Sequence, residues 1–185
     1  MITLGVNIAI LREDKVLLTK REDFEVWCLP GGAVDENESI AAAALREARE
    51  ETGLQVQLMH LVGVYSQPNW LNSHHALVFA AQATGGEPRP QSNEVLDMAY
   101  FNQQSLPEPI LFGQRQRILD ALNGAQGVVR NRTQEWPFGK VSRQELYALR
   151  DHSGLSRQAF YLKHFGNSDA YQDKLEVGPP HLIKE

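Results

Sequence analysis

The chain has 185 residues, 42% of them hydrophobic, and a formal charge of −5, enough for one full domain with a substantial core and an appendage. No apolar run approaches a membrane span and the amino terminus lacks a secretory-leader pattern, so the expected compartment is the cytoplasm. The single cysteine, Cys28, excludes an intrachain disulfide and a cysteine-based zinc cluster, and in Val26-Trp27-Cys28-Leu29 it reads as a buried small hydrophobe.

Thr3 to Leu11 is apolar and β-branched enough for a strand, Arg12 to Lys15 reads as a turn, and Val16 to Lys20 as the returning strand. A charged loop over Arg21 to Glu25 leads to a short buried strand, Val26 to Leu29, stopped by Pro30-Gly31-Gly32. Ser39 to Thr52 is predicted to be a helix. Leu54 to Tyr65 reads as a strand with a bulge at Gly63, and His74 to Ala83 as another, across a loop from Ser66 to Ser73. The adjacent His74 and His75 should point to opposite faces of that strand and not share a metal. A polar loop, Thr84 to Asn93, precedes a strand from Val95 to Phe101, and Phe112 to Leu122 suits an amphipathic helix ended by Asn123-Gly124. Strands around one central helix, with another helix at the end, predict an α/β fold: a mixed sheet covered on both faces.

Beyond Gly124 the pattern changes. Gln126 to Lys140 has no clear periodicity, Arg143 to Asp151 and Ser156 to Phe165 read as short helices N-capped by serines, and Asn167 to Glu185 reads as an irregular tail. Residues 1–125 hold nine Lys/Arg against sixteen Asp/Glu, a balance of −7, whereas residues 126–185 hold nine against seven, +2. The expected organisation is a domain over 1–125 and a helical or irregular extension over 126–185, serving as a lid, a homodimer arm or an interaction segment. A balance of +2 does not carry a nucleic-acid-binding reading.

The helix over Ser39 to Thr52 has a serine N-cap, an alanine-rich body and Gly53 as a left-handed stop. Its Glu47, Glu50 and Glu51 stand at i, i+3 and i+4 and share a face, with Arg46 four residues before Glu50. The glutamates occupy the last turns, where the helix dipole disfavours anions. Two like charges about 4 Å apart also cost roughly 4 kcal/mol at an effective dielectric of about 20. A divalent cation relieves both penalties, and all-oxygen ligands suit Mg²⁺ or Mn²⁺.

Gly32 to Leu54 resembles the Nudix box, G-x5-E-x7-R-E-U-x-E-E-x-G-U with U apolar. Every fixed position is present: Gly32, Glu38, Arg46, Glu47, Ala48, Glu50, Glu51, Gly53 and Leu54. The resemblance covers the first two-thirds of the chain and implies an α/β/α sandwich that hydrolyses a nucleoside diphosphate linked to another moiety, with no membrane partner. It further implies that Glu47, Glu50 and Glu51 bind Mg²⁺ or Mn²⁺, joined by a carbonyl of Gly31 or Gly32, that Arg46 orients them, and that Glu38 and Gly53 support them. Glu50 is one choice of general base; Glu94, in Ser-Asn-Glu-Val before a strand, is an alternative or an added ligand, weighed evenly against an exposed loop carboxylate.

Substrate signals lie outside the box. Ser66-Gln67-Pro68 is similar to a motif of the NADH-cleaving branch but lacks its Trp-Pro-Phe-Pro, and Pro68 falls fifteen residues after Gly53, near a proline of ADP-ribose-cleaving members. Trp70 or Phe24 would stack a base, and Arg21 is a further substrate-binding candidate. ADP-ribose or a related sugar nucleotide is the first expectation, a nucleoside triphosphate or dinucleotide the second. A reading from another class is a ligand-sensing transcription regulator, since Glu145 to Arg150 followed by Ser153 to Phe160 has a helix-turn-helix outline. Phe160, Tyr161, Phe165 and Tyr171 are otherwise packing residues of a lid or arm.

Overall fold

The computed structural model describes residues 2–70, 73–90, 93–133, 136–166 and 172–179. Among the described residues nine strands form one mixed sheet. In chain order they are β1 (Thr3–Arg12), β2 (Lys15–Arg21), β3 (Trp27–Cys28), β4 (Gly31–Ala33), β5 (Leu54–Gln67), β6 (His74–Gly86), β7 (Val95–Asn102), β8 (Val128–Thr133) and β9 (Gln172–Val177). The main path runs β3-β2-β1-β6-β5-β8-β9, with β4 paired to β1 and β7 to β2. β1 and β6 are parallel, as are β5 and β8; the other pairs are antiparallel. The helices are α1 (Ile40–Thr52), α2 (Gln114–Leu122), α3 (Arg143–Asp151) and α4 (Arg157–Phe165). No helix among the described residues is long and apolar enough to cross a membrane.

Alternation along the strands splits the core in two. On one face Val6, Ile8 and Ile10 pack against Ala43, Ala44 and Ala48 of α1. On the other, Val16, Leu18, Val62 and Val78 pack against Ile118 and Ala121 of α2. The sheet is therefore covered on both sides, as the strand and helix order predicted. α1 also follows its expected limits: the Ser39 hydroxyl accepts from Ala42 N–H, and Gly53, at φ 73°, donates to the Arg49 carbonyl. The β5–β6 register shifts between Leu61 and Gly63, at the predicted bulge.

Several expectations are corrected. Gly31 and Gly32 do not merely stop a strand; with Ala33 they form β4, Asn7 opposite Gly31. Glycines carry no β-signal because they offer no side chain to pack, but here they permit a close approach. Thr84 to Gly86, read as loop, extends β6, and β5 continues to Gln67. α2 begins at Gln114, not Phe112, because Gly113 takes φ 82°. Val128 to Thr133, within the stretch that lacked periodicity, is a strand beside β5, and part of the segment read as an irregular tail forms β9. The sheet thus continues across residue 125, and Arg130 of β8 holds the buried Asp120 of α2 through two hydrogen bonds of 2.6 and 2.8 Å.

α3 and α4 form a hairpin on a third cluster, in which Leu146, Phe160, Tyr161 and Phe165 enclose Phe24 and Val26. Tyr147 Oη donates to Asp23 and Arg150 donates to the Asp23 carbonyl, tying the hairpin to the loop after β2. Phe160, Tyr161 and Phe165 are packing residues, as expected; Tyr171 lies outside the described residues.

Candidate active site

Three features converge at the amino end of β4 and the last turns of α1. Glu51 Oε2 accepts from Gly31 N–H at 3.1 Å. The Glu47 carboxylate lies against Gly32, where a β-carbon would overlap it. Arg46 forks across the other acids, donating to Glu38 at 2.9 and 3.0 Å, to Glu47 at 2.7 Å, to Glu50 at 3.2 Å and to the Ala33 carbonyl at 3.1 Å. Glu38 thus reaches the site through Arg46. Glu50 is exposed while Glu47 and Glu51 are partly buried, so residues sharing one helix face meet different environments.

Those environments set their titration. Burial pushes the Glu51 carboxyl up to about 7, opposed by the Gly31 N–H and Arg21 and reinforced by Glu47 and Glu94. Burial likewise raises Glu47, against its bond to Arg46. In both, the cost of burying the charged form outweighs the donors and cations beside it. Among the described residues no three His, Cys, Asp or Glu side chains converge on one point as a metal cage, since Glu47 and Glu50 are turned to Arg46. The donor chemistry nonetheless fits a hard cation: Glu47, Glu50, Glu51 and the glycine carbonyls all present oxygen, and the under-compensated carboxylates favour a cation beside them.

Glu94 is exposed at the start of β7, and its carbonyl accepts from Glu22 N–H. It lines a cleft of about 320 Å³ with Arg21, Asp23, Arg143 and Tyr147. Arg21 donates to Asp23 at 2.9 and 2.6 Å and faces Glu51 electrostatically. Arg21 also borders the cavity of about 230 Å³ lined by Phe24, Trp70 and Trp136. Phe24, expected as one of two base-stacking candidates, is 7% exposed, with Tyr147, Phe160, Tyr161 and Phe165 around its ring. Trp70 is half-buried against Phe112, centroids 4.1 Å apart, and edge-on to Trp136, so much of its ring is spent on packing. Cys28 is buried and its thiol is pushed up to about 11 by burial, consistent with a small hydrophobe. His74 sits beside Gly5 while His75 bonds Ser66, so the two rings diverge.

Sequence reading missed a buried polar trio beside Gly31. Asn7 Oδ1 accepts from Gln114 Nε2 at 3.2 Å and Arg117 Nη1 at 2.8 Å, while Gln114 Oε1 accepts from Leu29 N–H at 3.4 Å. A signal existed: Gln114 and Arg117 fall at helical spacing on the stripe that carries Ile118 and Ala121, the core-facing side of α2.

Comparison with known proteins agrees with this geometry. The family model described as NUDIX domain matches residues 1–122. A Bacillus subtilis (strain 168) protein called "Putative 8-oxo-dGTP diphosphatase" is 36% identical over 129 residues, covering 69% of this chain and 85% of its own. An "ADP-ribose pyrophosphatase" of Methanocaldococcus jannaschii is 31% identical, covering 66% and 75%. Among solved structures, a Streptococcus suis ADP-ribose pyrophosphatase superposes with a TM-score of 0.59 at 28% identity, over 67% of this chain and 92% of that one.

Proposed function

This chain belongs to the NUDIX family of pyrophosphohydrolases, and we propose that it cleaves, with a divalent metal, the pyrophosphate of a nucleoside diphosphate linked to a second moiety. The observation that carries the reading is the pairing of Glu51 with the Gly31 amide and of Glu47 with the bare face of Gly32, which sets two partly buried carboxylates against the same glycine backbone. Glu47, Glu50 and Glu51, with a Gly31 or Gly32 carbonyl, would hold Mg²⁺ or Mn²⁺. Such an ion, when bound, neutralises phosphate charge and acidifies water.

The chain's own groups supply the rest. Arg46 fixes Glu47 and Glu50 and is itself fixed by Glu38, so the acids are positioned before substrate arrives. Glu50, which is exposed to solvent, would take a proton from an attacking water, with Glu94 as the alternative. Arg21, bonded to Asp23 and within electrostatic reach of Glu51, would offer its charge to a phosphate oxygen.

ADP-ribose and related sugar nucleotides come first as substrates, supported by the names of the Methanocaldococcus and Streptococcus proteins. The Bacillus relative supports a nucleoside triphosphate as the second reading. A hydrolysis screen tests both: ADP-ribose, sugar nucleotides, NADH, dinucleoside polyphosphates and nucleoside triphosphates, each with Mg²⁺, Mn²⁺ or EDTA. Turnover that survives EDTA, or none on any compound, defeats the reading.

A further inference from the structure

A cleft of about 190 Å³ lies against Gly31, Gly32 and Ala33. Its polar side chains are Thr3, Asn7, Arg21, His74, Gln114 and Arg117, and no carboxylate is among the lining residues. Arg117 is 5% exposed, yet among the described residues no carboxylate pairs with it. Its hydrogen bond goes to the neutral Asn7 Oδ1, its guanidinium lies 5.5 Å from the Tyr65 ring centroid, and its Nε is buried without a hydrogen-bond partner. Burial first, and neighbouring Arg132 next, push its pKa down to about 10 against the opposing pull of Tyr65 and Asp173, so it stays charged at neutral pH.

A buried cation whose nearest carboxylate, Asp173, is bonded to another arginine is costly, and folded proteins keep one where something pairs with it. The fold goes to some length to keep this one. Leu29 N–H orients Gln114, and Gln114 and Arg117 together orient Asn7 with its oxygen toward them. The Asn7 amide nitrogen is thereby left next to Gly31, close to where a β-carbon there would stand. Donors from Asn7 and Arg117 therefore face the same cleft as the Arg21 and His74 side chains.

We propose that this cleft binds an anionic group, a phosphate or carboxylate, carried by the moiety joined to the nucleoside diphosphate, and that Arg117 is the residue that selects it. The proposal rests on the pyrophosphohydrolase reading for what delivers the group, but anion binding itself requires no hydrolysis. Among sugar nucleotides it favours those whose sugar bears a carboxylate or phosphate over neutral ones.

The test uses the full chain in EDTA with inorganic phosphate as probe, read by thermal melting. Phosphate at ten times its Kd should raise Tm by about 3–5 °C. R117M should melt higher than the native chain without phosphate, since it removes an unpaired buried charge, and should lose the phosphate shift. R117K should keep a charge but weaken phosphate at least about fivefold, because an ammonium cannot present the guanidinium fork. E50Q should keep the full shift, so a failed hydrolysis screen and a failed anion site are told apart. A native chain that phosphate does not stabilise overturns the proposal. So does R117M that melts lower with its phosphate shift intact, R117K with unchanged phosphate affinity, or an Arg117-dependent shift given by neutral guanosine and not by phosphate.

Discussion

The Glu47 carboxylate occupies the space that a β-carbon on Gly32 would fill. The overlap falls on the far end of a flexible side chain, which can swing away, so folding tolerates the change while the site does not. G32A should therefore keep its melting temperature to within a few degrees and lose hydrolysis by roughly 100-fold. G31A should behave oppositely: at φ 149° its new carbon would meet the Val6 carbonyl and the Asn7 backbone, which cannot yield, and stability should fall by about 3 kcal/mol or more. Parallel melts and rate measurements on the two variants check this contrast; equal loss of stability in both would refute it.

Removing acid function without removing shape gives a second expectation. E51Q retains an oxygen for the Gly31 amide, so its fold should persist while kcat drops by at least about 100-fold. E38Q acts one step further out, through its two bonds to Arg46, and should cost about tenfold. Near-native turnover in both E51Q and E50Q would remove the acids from the mechanism.

His74 predicts a pH dependence of stability. Burial, then Arg117 and His75, lower its pKa to about 4 from the ordinary 6.5. As pH falls below 6.5 the unfolded chain takes up a proton that the folded chain refuses, so stability declines from pH 6.5 to about 4 and this contribution then levels off. The full effect is on the order of 3 kcal/mol. Denaturant titrations at pH 7 and pH 5 should show the loss in the native chain and a smaller one in H74Q; an identical slope in both would exclude His74 as its source.

Phe24 is the residue on which α3 and α4 close. F24A should cost about 3 kcal/mol and should loosen the hairpin first, since its ring contacts are with Tyr147, Phe160, Tyr161 and Phe165. Limited proteolysis should then cut between residues 142 and 166 before the sheet. Unchanged protection of that segment would contradict the packing.

What could be read from sequence followed from how local each signal was. α1 carries its own instructions, with a serine cap, alanines and a terminal glycine, and its acids were legible because the helix fixes their spacing. β8, Val-Val-Arg-Asn-Arg-Thr, has neither length nor alternation; its stability comes from pairing with β5, some sixty residues earlier. Phe24 looked available to a base because the helices that bury it lie more than a hundred residues downstream. Arg117 was not singled out: its place on the core-facing stripe of α2 is local to the helix, but its partner Asn7 lies more than a hundred residues earlier.

Gly31 has a consequence of direction. Its amide holds an acid, and the space beside its α-carbon is filled by an amide-bearing residue tied to a cation. The divider between the two is a single stretch of backbone with no side chain of its own. A linear molecule laid across it would meet acids at one end and, with the proposed anion cleft, cations at the other, so its two ends would not be interchangeable before any base or sugar is recognised.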